Sequence, residues 1–298
     1  MPDTLLVTGA TGHLGQRVLH HLVDTLRVPG NRIIATTRKP ESLSAWAVKG
    51  VVVRTADFEN TASLTDAFRG ARRLLLISTD AIDRPGRRLA QHQNAIDAAV
   101  QAGVSHVVYT SMPEPEGSPV VFAPDHAGTE AALAASTLPG WTVLRNHWYF
   151  ETLFNSLPGI LGRGGKWFSA AGDGKVANIS RDDLGRAAAC VLAGSYTGKD
   201  IFTLSGPQAL SVAEQAAAIT QVIDKPIQVI PVPVEDLIQG MVGAGLPEPV
   251  AKLIASFDMN TAAGRASKVT GDFKAITGVE PQRFTDWLSA NKAALLGA

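Results

Sequence analysis

The strongest constraint on this fold is a rhythm. Through the first 145 residues, short apolar runs alternate with longer stretches of helical spacing. Residues 4–8, 32–37, 50–54, 73–78, 106–110 and 141–145 read as strands. Helical patterns fill the gaps at 14–26, from Pro40 onward, at 62–68 ahead of Gly70, at 85–102 and at 125–136. Runs that are apolar throughout, rather than alternating, suit strands buried on both faces, and helices between them supply the crossovers of a parallel sheet. Right-handed crossovers then give a doubly wound, Rossmann-type α/β sheet whose ligand sits beyond the carboxyl ends of the strands.

After Arg145 the rhythm changes. Gly159, Gly162, Gly164, Gly165, Gly172 and Gly174 crowd one short stretch, which predicts loops and turns rather than another strand–helix unit. A helix resumes over 181–192, residues 201–204 suit a returning edge strand, and helices dominate from Ser211, interrupted by an apolar run at 227–234 that suits a strand. The expected division is a nucleotide-binding domain over 1–150 with a returning segment near 176–206, and a smaller α+β cap over 151–298.

Composition narrows the function. With 27 basic and 27 acidic residues the formal charge is zero, and no basic block offers a footprint for nucleic acid. The lone cysteine, Cys190, sits in an alanine-rich helical stretch, where a small packed residue is expected; no metal-ligand spacing is present. No apolar run reaches the roughly 18–20 residues of a membrane span, and no basic leader precedes the first strand. A cytoplasmic protein without membrane contact is the expectation, with a homodimer left open.

The segment Thr8-Gly9-Ala10-Thr11-Gly12-His13-Leu14-Gly15 joins the first strand to the first helix. Glycines at this spacing allow a tight turn and close approach of a pyrophosphate, while the helix N-terminus turns its free N–H groups toward the phosphates. Dinucleotide sites selective for NAD carry a carboxylate at the end of the second strand to hold the ribose 2′-hydroxyl. Here that strand ends Ala35-Thr36-Thr37-Arg38-Lys39. A guanidinium suits a 2′-phosphate, so NADPH is the expected cofactor, with Arg38 as its discriminator. Asp57 and Phe58 are expected to flank the adenine, and Ile77, Ser78 and Thr79 to pass beneath the ribose and pyrophosphate.

The reacting end is less explicit. Carbonyl reductases of the short-chain type use a Tyr-x-x-x-Lys pair as proton donor. The residues four beyond Tyr109, Tyr149 and Tyr196 are Pro113, Leu153 and Asp200, so the pair is absent. Where it would stand, His126 and Glu130 have i, i+4 spacing, which equally describes an ordinary surface pair. Without a strong acid, an acceptor that takes hydride readily, such as a quinone or cationic dye, remains compatible, with catalysis mainly by positioning. Trp148-Tyr149-Phe150 reads either as core packing or as a stacking wall for a flat acceptor.

Several motifs recur in order: the glycine turn, Arg38, Leu74-Leu75-Leu76-Ile77-Ser78, Tyr109-Thr110-Ser111, the His126–Glu130 spacing, Leu144-Arg145-Asn146-His147-Trp148-Tyr149 and Ala170-Ala171-Gly172-Asp173-Gly174-Lys175. Together they resemble the NmrA-like branch of atypical short-chain dehydrogenases, and within it the bacterial NADPH:quinone oxidoreductases of type 2 and triphenylmethane reductases. The resemblance weakens after about residue 235. It implies an oxidoreductase that uses NADPH to reduce quinone-like or other electron-poor aromatic acceptors. It also implies that Ser111 and Asn146 meet the coenzyme while His126, His147, Trp148 and Tyr149 face the acceptor. His147 departs from the small residue usual there, which would narrow the pocket or add a donor. A different implied role is a non-catalytic NADP-binding regulator.

Overall fold

The computed structural model describes residues 3–297. The first half runs β1 (Leu5–Val7), α1 (His13–His20), β2 (Ile33–Thr37), α2 (Ser44–Val48), β3 (Val52–Thr55), α3 (Thr61–Phe68), β4 (Arg73–Leu76), α4 (Arg87–Gln101), β5 (His106–Ser111), α5 (Ala123–Ala135) and β6 (Gly140–Asn146). The second half follows as α6 (Leu153–Gly162), β7 (Lys166–Ser169), β8 (Lys175–Val176), α7 (Arg181–Ala193), β9 (Lys199–Leu204), β10 (Leu210–Ser211), α8 (Val212–Ile223), β11 (Gln228–Pro231), α9 (Val234–Gly243), α10 (Glu248–Ala262), α11 (Asp272–Thr277) and α12 (Phe284–Leu295). No helix among the described residues is long and apolar enough to cross a membrane.

Seven strands form one sheet in the order β3-β2-β1-β4-β5-β6-β9, every pairing parallel. The period of two sends successive residues to opposite layers. Leu5 and Val7 join a core with Leu14, Val18 and Leu19 of α1 and Leu184, Ala187 and Ala188 of α7. Leu6, Leu74, Leu76 and Tyr109 join the opposite core, with Leu64 and Phe68 of α3, Ile96 of α4 and Leu133 of α5. Each large side chain so buried contributes roughly 1.5–3 kcal/mol. Gly185 brings α7 against α1: a Cβ there would stand 2.6 Å from the Arg17 Cβ. The doubly wound α/β fold therefore follows from the apolar runs.

Beyond β6 the structure departs from the sequence reading in part. β9 returns to the sheet edge beside β6, beginning at Lys199 rather than 201. The glycine-rich stretch was expected to hold only loops, yet it contains the end of α6 and the strand β7. The cause is apolar spacing: Leu153, Leu157 and Ile160 form one helix face and pack on Ile219, Ile223, Trp287 and Leu288 from α8 and α12. The run at 227–234 supplies β11, which pairs parallel with β7 and not with the main sheet. The helix expected from Pro40 is a 3₁₀ turn (Pro40–Leu43) leading into the short α2.

Candidate functional site

The strand order reverses between β1 and β4, which opens a crevice at their carboxyl ends. After β1 the chain turns through Gly9 at φ +58°, a left-handed conformation that side chains resist. The Gly12 amide closes the turn by donating to the Gly9 carbonyl at 3.0 Å. Gly12 is the N-cap of α1 and no side chain caps the helix, so the first-turn amides are left for a ligand. Gly15 has a different task. A Cβ there would lie 2.3 Å from the Gly9 oxygen and 2.8 Å from the Ala10 Cα, so this glycine sets how closely helix and strand pack.

The Thr8 hydroxyl ties the two strands together, donating to the Leu75 carbonyl and accepting from the Ile77 amide, both at 3.0 Å. Gly9, Thr11, Gly12, Arg38, Asp57, Phe58, Ile77, Ser78 and Thr79 all line one crevice of about 440 Å³. Arg38 is exposed at its rim and makes no ion pair among the described residues. The Asp57 carboxylate accepts from the Glu59 amide at 3.0 Å, which fixes the loop after β3. Ala10, His13, Leu14 and Gly15 do not line the crevice: Ala10, Leu14 and Gly15 are buried in the turn and helix, and His13 is exposed.

Beyond β5 and β6 lies a second, buried constellation. His92 Nε2 accepts from the Thr79 amide at 3.0 Å, so its proton sits on Nδ1 and is donated to the Thr129 hydroxyl at 2.9 Å. Thr129 passes the bond to the Asp125 carbonyl at 2.6 Å. The Tyr109 hydroxyl and His126 Nδ1 share a hydrogen bond at 2.8 Å. Burial pulls His92 down to about 3 and His126 well below the ordinary histidine range, and the nearby Arg88 cation adds to both shifts. Burial also pushes the Tyr109 phenol upward. All three side chains are neutral at neutral pH.

His126 and Glu130 are not a surface pair. They are 3% and 7% exposed and have separate partners. Glu130 accepts from the Ser111 hydroxyl at 2.5 Å and from Arg145 Nε and Nη2 at 3.1 and 2.5 Å. Helix α5 packs on β5 and β6 at this end, which turns both side chains inward. The aromatic triplet is not one wall either. Trp148 meets Phe257 edge-on at 4.9 Å, Tyr149 lies against Arg181, and Phe150 enters the cap core beside Phe284 and Trp287.

Ser111, His126, Asn146, His147, Trp148 and Tyr149 do not line the crevice of the glycine turn. His147 adds no donor to it: the residue is 1% exposed, and burial lowers its pKa to about 4 against the opposing effect of the Lys268 backbone. Asn146 Oδ1 and Thr79 Oγ1 are also buried without partners. The sequence reading missed Arg88 and His92. Their spacing was the available signal, because i, i+4 places both on the α4 face that buries Ile96.

Three comparisons bear on this arrangement. The model of the NmrA-like family matches residues 1–283. Quinone oxidoreductase 2 of Escherichia coli K12 is 36% identical over 260 residues, covering 87% of this chain and 88% of that protein. The crystal structure of the Escherichia coli NADPH-dependent quinone oxidoreductase complexed with NADPH superposes with a TM-score of 0.89 at 34% identity, covering 96% of this chain and 98% of that one. Citrobacter sp. triphenylmethane reductase complexed with NADP(H) gives 0.87 at 33%, covering 96% and 99%. With the glycine turn, the parallel sheet order and a family match over nearly its whole length, the chain belongs to the NmrA-like family.

Proposed function

We propose that the chain is an NADPH-dependent oxidoreductase that reduces quinone-like or other electron-poor aromatic acceptors without a Tyr-x-x-x-Lys acid. The observation that carries this reading is the crevice itself, which joins an uncapped helix N-terminus at Gly12 to an unpaired guanidinium at Arg38. The relatives named for NADPH-dependent quinone reduction and triphenylmethane reduction support it.

The residues present fit the coenzyme. The turn at Gly9, Thr11 and Gly12, with the N-terminus of α1 behind it, holds the pyrophosphate, Arg38 holds the 2′-phosphate, Asp57 and Phe58 flank the adenine, and Ile77, Ser78 and Thr79 run beneath the ribose. The orphaned oxygens of Thr79 and Asn146 suit polar groups at the nicotinamide end. Bound there, NADPH supplies a hydride from C4 of its nicotinamide. The protein's part is to orient, to exclude water and to hold charge. His92, Tyr109 and His126 are neutral and buried, so none is a ready acid at neutral pH. That favours an acceptor whose reduced form is already a stabilised anion or a neutral product.

In this reading residues 1–150, with the returning segment 176–206, hold the nucleotide, and residues 151–298 form most of the acceptor's cover. Titration calorimetry with NADPH and NADH, followed by anaerobic stopped-flow oxidation of bound NADPH by a benzoquinone, tests it. Saturable NADPH binding with turnover at catalytic protein levels is expected. Binding without turnover would favour a nucleotide sensor, and no binding would remove both.

A further inference from the structure

The reacting end contains a positive charge that no carboxylate balances. Arg88, in the first turn of α4, is 6% exposed, with its guanidinium carbon 4.8 Å from the centre of the Phe122 ring. Its Nε is sealed from solvent without a partner, and it forms no ion pair among the described residues. Asp125 and Asp80 act on it only from a distance. Arg73 provides the contrast. That buried guanidinium donates to the carbonyls of Leu192, Tyr196 and Val191 at 2.9, 2.7 and 3.1 Å, and so closes the end of α7.

Of the guanidinium nitrogens only Nε is sealed, so Nη1 and Nη2 keep an open side. A guanidinium does not escape desolvation by losing its proton, and an aromatic face offsets only part of that cost. Tyr109, Tyr149, His92 and His126, from β5, the segment after β6, α4 and α5, lie within electrostatic range of Arg88 and are neutral at neutral pH, with Asp125 and Asp80 outside ion-pair contact. With no carboxylate in ion-pair contact, the guanidinium is free to meet an anion that a ligand brings.

We propose that Arg88 receives the negative charge that develops on a carbonyl oxygen of the acceptor, which makes a neutral quinone, and not a cationic dye, the substrate class of this site. This rests on the oxidoreductase reading above. The quinone gains two electrons and one proton as a hydride from the reduced nicotinamide, which is oxidised to its pyridinium form. The resulting hydroquinone monoanion is held against Arg88 and takes its second proton from solvent. A cationic triarylmethane dye would instead meet a like charge on entry and leave no anion behind.

Two measurements test this. In steady-state assays, Arg88→Gln should lower kcat for a benzoquinone about 10²-fold, leave NADPH binding unchanged, and not lower turnover of a cationic triarylmethane dye. Equal losses with both acceptors, or no loss with the quinone, would overturn the proposal. The second measurement needs no coenzyme. 4-Nitrophenol bound to the wild-type protein should ionise about one pH unit lower than in water, judged by its phenolate absorbance. Arg88→Lys should keep most of that shift and Arg88→Gln should lose it. No binding or an unshifted ionisation in the wild type counts against Arg88, whatever the outcome with NADPH. Failure to bind NADPH with an intact nitrophenol shift would instead count against the oxidoreductase reading.

Discussion

The two ends of the site are built on different principles. The crevice at β1 and β4 is made mostly of backbone: a left-handed glycine, free helix amides and one exposed guanidinium. The end at β5 and β6 is made of buried side chains, His92 paired with Thr129, Tyr109 with His126, and Glu130 with Ser111 and Arg145. A backbone site open to water carries little desolvation cost and changes little with pH. A buried side-chain network depends on every member being neutral or paired. In the proposed function, the first end holds a charged ligand that arrives already formed, and the second sets the charge at a reacting group.

The largest effect that separates the two ends is acid sensitivity. His92, His126 and His147 have folded values below the ordinary 6.5 of an unfolded chain. Between the folded values and 6.5 the unfolded state binds more protons, so stability is complete above about pH 6.5 and falls as pH drops. A loss on the order of 5 kcal/mol by pH 5 is expected from urea midpoints at pH 7.5 and 5, and a flat profile would erase the distinction. His147→Leu, which removes one of the depressed histidines, should reduce the drop.

Next comes the crevice. Gly15→Val forces a side chain against the Gly9 and Ala10 backbone and should cost about 3 kcal/mol of folding stability, read from the thermal midpoint. Gly12→Val meets only the Gly9 oxygen at 3.3 Å, so it should abolish nucleotide binding in calorimetry while the melting temperature stays close to wild type. If both variants lose stability equally, the turn is one rigid unit with no separate ligand-facing glycine. Arg38→Asp should weaken NADPH about 10²-fold, from a lost charge-assisted contact and added repulsion, with far less effect on NADH. Equal loss of both would remove Arg38 from the cofactor choice. The smallest effect belongs to Tyr109→Phe, which removes the bond to His126 and should cost about 1 kcal/mol in denaturant unfolding.

Sequence alone determined the parallel sheet, the glycine turn and the arginine at the end of the second strand, because each depends on residues within a few positions of one another. Apolar runs mark the strands locally, and Gly9, Gly12 and Gly15 lie in a single turn. The tertiary structure decided the reacting end. His126 and Glu130 have the same spacing whether they face water or the sheet, and only the docking of α5 on β5 and β6 turned them inward. Arg88 likewise reads as one more charge in Arg84-Pro85-Gly86-Arg87-Arg88 until α4 buries it over Phe122. Burial arises from contacts between segments far apart in the chain, and the electrostatics of a group follow from its burial, so neither is written in the local pattern.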